Sequence, residues 1–111
     1  MMSKANIRLS KKILDAMVEE ATVDCYNESE QLVGWLTMME DNLRVPFETR
    51  FLGITVTVER IDMNRQGAIV AICRREKHKQ SVPILDLPLP SRLPKGAEWI
   101  AAYRRWSKGN A

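Results

Sequence analysis

Residues 31–51 have the sequence QLVGWLTMMEDNLRVPFETRF, and the spacing of apolar residues changes within this stretch. Around Trp35 the apolar side chains recur every three or four residues, which predicts an amphipathic helix with Trp35 in the core. From Phe47 onward apolar and polar residues alternate, as is typical of a half-buried strand. The Val45-Pro46 pair separates the two patterns, because helical geometry is disfavoured before proline. A helix followed by strands in a short chain predicts an α+β fold.

Two helices are predicted on the N-terminal side of this switch. Ser10 is a suitable N-cap for a first helix that extends to about Cys25, over which apolar residues follow helical spacing. Asn27 or Ser29 can cap a second helix, which we expect to end near Asn42.

Short strands and polar turns are predicted after the switch. The strands alternate apolar and polar residues and are expected at 47–51, 54–58, 68–74 and 81–85. Polar turns are expected at 63–67 and 77–79, and a connector containing three prolines leads to a last helix at 97–106. The predicted fold class is α+β, with two N-terminal helices, a four- to five-stranded antiparallel SH3-like barrel or curled sheet, and a C-terminal helix.

Chain length and composition predict one small domain. The 111 residues suffice for a single domain, which we place at residues 10–108, with residues 1–9 as a flexible arm. No uncharged stretch approaches the roughly 20 apolar residues that a membrane-spanning helix needs, and no apolar run of signal-peptide type follows the N-terminus. We therefore expect a cytoplasmic protein in which Cys25 and Cys73 are reduced.

Residue patterns that carry catalysis are absent from the sequence. The single histidine, His78, lies between two lysines in a predicted exposed turn, and the five glycines are scattered singly. No phosphate-binding loop, nucleophile elbow or dinucleotide fingerprint is present. We therefore expect a binding protein and not an enzyme.

Charge is distributed unevenly along the chain despite a net charge of only +3. Residues 13–43 contain eight carboxylates and no lysine or arginine. Several lie four residues apart on a predicted helix, where like charges repel by a few tenths of a kcal/mol. Something positive should compensate them. It could be a cation or basic side chains of the sheet, notably Arg44, Arg50 and Arg60.

A resemblance to a known family rests on two blocks of sequence. Residues 23–35 contain a tyrosine, an acidic run that ends in Glu-Gln, and the Gly34-Trp35 pair; residues 39–47 contain Glu-Asp-Asn-Leu ahead of Pro-Phe. These blocks resemble a small prokaryotic calcium-binding family, typified by the cyanobacterial calcium-binding protein of heterocyst formation. The resemblance implies weak, low-specificity calcium binding or buffering through clustered surface carboxylates.

The candidate metal ligands follow from matching these blocks. The resemblance assigns Glu28 and Glu30 to the acidic run, and Glu40 and Asp41 to the Glu-Asp pair, while Asp24 is a further candidate. Glu30 and Glu40 are ten residues apart on one helix, or about 15 Å, so they cannot share one ion. We therefore expect two patches. The turn patch contains Asp24, Glu28 and Glu30, and the end patch contains Glu40 and Asp41.

A second motif only partly matches a calcium site. Residues 62–67 follow the opening of an EF-hand loop, with oxygen donors at alternate positions and glycine at the sixth. The twelfth position is Cys73 in place of the glutamate that completes such a site. A hairpin turn is the better interpretation of this segment.

The alternative function is binding of nucleic acid or another polyanion by the basic C-terminal half. Tyr103 or Trp106 could stack on bases. The basic residues of this hypothesis are Arg74, Arg75, Lys77, Lys79, Arg104, Arg105 and Lys108.

Overall fold

A computed structural model describes residues 9–109 and contains three helices and one antiparallel sheet. The elements are α1 (Lys11–Thr22), α2 (Glu28–Asn42), β1 (Phe47–Phe51), β2 (Ile54–Met63), β3 (Ile69–Arg75), β4 (His78–Pro83) and α3 (Ala97–Gly109). The predicted α+β class is confirmed. Most of the predicted flexible arm lies outside the described residues; its last residue, Leu9, packs against the core. Within residues 9–109 no helix is long and apolar enough to cross a membrane.

Local capping fixes the two N-terminal helices. Ser10 caps α1, and its hydroxyl accepts a hydrogen bond from the Ile13 N–H at 3.2 Å. The helix ends at Thr22, three residues earlier than predicted, and Asp24 takes a left-handed conformation with φ of 60°. Asn27 then caps α2, which ends at Asn42 as predicted.

The sheet is an open meander in the order β1-β2-β3-β4. The predicted antiparallel sheet of four to five strands is confirmed with four strands, and of the two predicted forms, an SH3-like barrel or a curled sheet, the closed barrel is not the one observed. Closure would require β1 and β4 to pair, whereas helices pack on part of the apolar face of the open sheet. Several strand limits differ from the prediction. β2 extends to Met63 through a bulge after Val58, and β3 lies one residue later than expected. β4 begins at His78, because its turn is Glu76-Lys77, and it ends at Pro83, two residues earlier than predicted.

The core is organised around Trp35, which is fully buried. Its ring lies 6.1 Å from that of Trp99, 5.8 Å from Tyr103 and 5.6 Å from Trp106, so four aromatic rings join α2 to α3. The prediction that Trp35 is a core residue is confirmed. The cluster also explains the aromatic composition of α3, which supplies three of the four rings.

Two glycines permit close contacts between helices. A Cβ on Gly34 of α2 would overlap the carbonyl oxygen of Ala21 in α1. A Cβ on Gly96 would overlap the backbone of Asn42, where the end of α2 meets the beginning of α3. The beginning of α2 lies near the end of α3, because Glu28 and Trp106 line the same cleft. α2 and α3 are therefore antiparallel neighbours.

Candidate functional site

The first two helices carry an exposed acidic surface without cationic partners. Asp15 pairs with Lys11 at 3.3 Å, but the remaining carboxylates of this surface make no ion pair within residues 9–109. All of them are exposed. We call this set the acidic surface: Glu19, Glu20, Asp24, Glu28, Glu30, Glu40 and Asp41.

The basic side chains expected to compensate this surface are directed elsewhere. Arg50 donates a hydrogen bond to the carbonyl of Gly53 at 2.9 Å, and Arg60 pairs with Asp62 at 3.7 Å. Arg44 makes no ion pair with the described carboxylates. The acidic surface is therefore not neutralised by the described part of the sheet.

The turn patch lies where α1 and α2 meet. Glu30 has a structural role there, because its carboxylate accepts a hydrogen bond from the Tyr26 N–H, in the turn ahead of α2, at 2.7 Å. The Asn27 side chain accepts one in return from the Glu30 N–H at 2.9 Å. Glu28 and Asp24 are exposed. Within residues 9–109, two of the three turn-patch carboxylates thus make no side-chain hydrogen bond or ion pair.

The end patch lies in the last turn of α2. Glu40 and Asp41 are both exposed, and neither makes a side-chain hydrogen bond or ion pair within residues 9–109. Glu40 lines a shallow cleft of about 150 Å³ with Arg60 and Ile61 of β2. Although Arg60 faces this cleft, its ion pair is with Asp62.

The arrangement of these carboxylates is open. Hard oxygen donors suit calcium, so the residue types fit the ion. Within the described residues, however, no three His, Cys, Asp or Glu side chains converge on a point that could hold a metal. Any cation site on this surface must therefore form by side-chain movement and be completed by water.

The structure places Glu28 in a cleft with residues of the β2–β3 turn and of α3. Its cleft, about 310 Å³ in volume, is also lined by Gln66 and Gly67 of the β2–β3 turn and by Tyr103 and Ser107 of α3. Burial raises the pKa of Tyr103, an interaction with Ser107 lowers it, and the negative charge of Glu28 raises it further. Sequence reasoning missed this neighbourhood, because its residues come from three distant segments.

Comparison with known proteins identifies the family. The family model for CcbP, described as calcium binding, matches residues 15–107. The chain belongs to this calcium-binding family. Among solved structures it is similar to the crystal structure of Anabaena CcbP, with a TM-score of 0.73 and 17% identity over 93% of this chain and 94% of that chain. That likeness shows a common fold. No curated protein matches the chain.

Membership of the CcbP family confirms the resemblance found in the sequence. Calcium is the ligand that the assignment supports, and the family is a calcium-binding family and not an enzyme family. Neither comparison assigns the ligand residues of this chain.

The EF-hand-like segment of this CcbP-family chain is a hairpin turn, as predicted. The Asn64 side chain accepts hydrogen bonds from the Gln66 and Ala68 N–H groups at 3.0 and 2.9 Å. Gly67 has a φ of 82° and donates its N–H to the Asn64 carbonyl at 3.0 Å. The amide oxygen of Asn64 is therefore used to hold the turn.

The basic residues of the alternative hypothesis do not form one face. Arg104 is half-buried and donates hydrogen bonds to the carbonyls of Ile84 and Leu87, so it anchors the connector to α3. Arg75 is the last residue of β3, whereas Arg105 belongs to the end of α3, which lies beside the first residues of that strand. The basic residues near Arg75 and those near Arg105 are therefore separated by the length of β3, seven residues or about 23 Å.

The aromatic side chains of that hypothesis are also committed to packing. Tyr103 is buried, and Trp106 is half-buried against Trp35. Because their faces are used within the cluster, they are not free to stack on bases.

Proposed function

We propose that the chain binds Ca²⁺ weakly and with low specificity through carboxylates of the acidic surface, and acts as a calcium buffer. The observation that carries the proposal is the absence of a cationic partner for these seven side chains within residues 9–109. Membership of the CcbP family makes calcium the cation of choice.

Two patches supply the proposed ligands. The turn patch offers Asp24 and Glu28 in full and the remaining lone pairs of Glu30, whereas the end patch offers Glu40 and Asp41. Calcium takes six to eight oxygens and a carboxylate supplies at most two, so each patch needs several waters. Water-rich sites with few protein ligands bind at about 10⁻⁴ to 10⁻³ M.

Low specificity follows from the same openness. Discrimination between calcium and magnesium depends on cavity size, ligand number and rigidity. The proposed ligands are exposed side chains at a turn and a helix end. Such ligands can adapt to either ion, so binding depends mainly on charge.

The end patch provides the sharper test because neither of its carboxylates makes a side-chain hydrogen bond or ion pair with another described residue. The double substitution Glu40→Gln with Asp41→Asn removes two charges and retains the shape of both side chains. The matched control, Glu19→Gln with Glu20→Gln, removes two exposed charges of α1 outside both patches. Residue-resolved NMR during a calcium titration should show shifts at residues 24–30 and 40–41.

Thermal unfolding measures how much calcium stabilises the protein. With a Kd near 1 mM, about 10 mM Ca²⁺ should stabilise the protein by about 1.4 kcal/mol, from RT ln(1 + [Ca²⁺]/Kd). The melting temperature should then rise by roughly 4–8 °C. NaCl of equal ionic strength should do less, because screening supplies no coordination.

The variants decide between calcium binding and general electrostatics. The end-patch variant should lose much of the calcium-specific increment, and the α1 variant should keep it. Equal effects of calcium and matched NaCl on the parent protein would contradict the proposal. So would an equal loss of the increment in both variants, because repulsion across the whole surface would then explain the stabilisation.

A further inference from the structure

An uncovered groove lies at the end of the sheet where β1 meets β2 and β3 meets β4. Its volume is about 350 Å³, and we call it the end groove. Its floor contains the buried side chains of Val56 and Cys73, so it opens onto the core face of the sheet. Phe51 and Ile54 extend the floor, and Ile54 is 39% exposed. Apart from Leu52, the other lining residues are polar or charged: Arg75, Glu76, His78, Lys79 and Gln80.

The wall of the end groove contains a residue that local stability does not explain. Leu52 is 83% exposed and has a φ of 54°, next to Gly53 with a φ of 79°. A two-residue hairpin turn with positive φ favours Asn-Gly, and a branched apolar residue is costly there. A strained, exposed leucine beside an apolar groove indicates a contact made by something other than the described chain.

One border of the end groove is the open edge strand β4. The Ile84 N–H donates to the Ile69 carbonyl at 3.0 Å. Given the register of β3 and β4, this bond shows which residues of β4 direct their N–H and C=O groups toward β3 and which direct them away. Val82, Gln80 and His78 therefore direct their backbone groups to β3. The N–H and C=O groups of Lys79 and Ser81 point to the open side, where no backbone bond outside the sheet engages them within residues 9–109.

The charge around this edge is positive. Lys79 lines the end groove, and its ammonium group and Arg74 share the single carboxylate of Glu59, at 3.1 and 2.5 Å respectively. Because side chains alternate along β4, the Lys79 side chain leaves the strand on the face opposite to that of His78 and Gln80. Arg75 and Lys77 lie at the same end of the sheet, where Glu76 is the one carboxylate of the hairpin tip. An anionic partner is therefore electrostatically favoured at β4.

We propose that an extended segment of a partner protein adds as a fifth strand to β4, with alternating apolar and acidic side chains. In such a strand every second side chain faces the end groove, beside His78 and Gln80, and should be apolar. The intervening side chains lie beside Lys79 on the opposite face and should be acidic. Pairing stops at Pro83, which has no N–H to offer. The segment is therefore short, at about four residues.

The test uses a fluorescein-labelled hexapeptide that alternates glutamate and leucine. A second peptide of the same composition, with its leucines and glutamates in separate blocks, controls for composition. A third, in which lysine replaces glutamate, controls for charge. Fluorescence anisotropy should show binding of the first peptide alone, weakened by added salt. NMR shifts should be confined to residues 50–56 and 73–82.

Two variants separate edge pairing from groove contact. Ser81→Pro removes an outward N–H without removing a bond to β3, and should weaken binding at least tenfold, whereas Ser81→Ala keeps the N–H and should bind as the parent does. Leu52→Asn suits the positive φ, so it should keep or raise the melting temperature while weakening binding several-fold. If Ser81→Pro does not fold, Leu52→Asn decides.

Several results would overturn the proposal. These are no binding of the alternating peptide up to about 1 mM, equal binding of the three peptides, or unchanged binding by folded Ser81→Pro or by Leu52→Asn. A single-stranded oligonucleotide that produces the same shifts would identify a polyanion site instead. Concentration-dependent shifts at residues 50–56 and 73–82 without peptide would identify a second copy of the chain as the occupant.

Discussion

Replacing Trp35 by alanine should be the most damaging single change in the core. The side chain is fully buried, and its ring centroid lies 5.6–6.1 Å from those of Trp99, Tyr103 and Trp106. Truncating a buried Trp costs about 3–5 kcal/mol, and each aromatic pair adds about 0.5–1.5 kcal/mol beyond its buried area. A loss near 5 kcal/mol is therefore expected. Because small domains are stable by only about 5–15 kcal/mol, the variant should be partly unfolded at 37 °C.

Trp35→Phe is the matched control for this prediction. It keeps an aromatic ring and removes the indole N–H, which is buried without a hydrogen-bond partner among the described residues. Its loss should be limited to about 1–2 kcal/mol, because a smaller cavity forms and an unsatisfied donor disappears. Urea unfolding followed by far-UV circular dichroism measures both values. A loss below about 2 kcal/mol for the alanine variant, or equal losses for both variants, would refute the placement of Trp35 at the centre of the core.

Two further predictions concern packing and pH. Gly34→Ala should lower the free energy of unfolding by about 1–2 kcal/mol, although alanine has the better helix propensity. The reason is that the new Cβ overlaps the backbone of Ala21, which cannot rotate away as a side chain could. Gly109→Ala is the control in the same thermal melts, and it should be neutral or stabilising because open space surrounds Gly109. Hydrogen bonds from Arg74 and Lys79 lower the pKa of Glu59 from its ordinary 4.5, so its ionised form stabilises the fold above that pH and the contribution is lost as the pH falls through the lowered pKa. The melting temperature of Glu59→Gln should therefore lie below that of the parent at pH 7, and the difference should shrink as the pH falls below 4.5 and through the lowered pKa of Glu59. A constant difference across that range would contradict the ion-pair explanation.

Much of the local structure could be predicted because it depends on neighbouring residues. Ser10 and Asn27 satisfy N–H groups three residues ahead of them, so the beginnings of α1 and α2 are determined within one turn. The alternation at 47–51 matches β1 without error, because burial on one face of a sheet imposes a period of two.

The candidate carboxylates were also accessible to sequence reasoning, because charge and helical spacing are properties of the chain itself. The structure shows in addition which of these carboxylates make hydrogen bonds. Glu30 accepts a hydrogen bond from the Tyr26 N–H ahead of α2, whereas Glu40 and Asp41 have no such role within residues 9–109. The Asn27 to Glu30 spacing resembles a capping box, but the Glu30 carboxylate binds the N–H one residue before the N-cap.

The features that could not be predicted depend on packing between distant parts of the chain. A four-stranded pattern does not reveal whether its edge strands meet, because closure depends on whether helices or other strands cover the apolar face. Arg104 looked like a surface charge, and only the fold brings it under the Ile84 and Leu87 carbonyls, where it donates hydrogen bonds. The end groove arises in the same way, from four strand ends that are adjacent only in the sheet.

The α+β class, the helix caps, the family resemblance and the acidic character of α1 and α2 could be predicted from the sequence, since they depend on patterns along the chain. The folded structure was needed to show which charges are neutralised, where the apolar face of the sheet is left open and which segments surround Glu28. These features depend on contacts between residues tens of positions apart. Such contacts form when the whole core packs, and no local pattern encodes them.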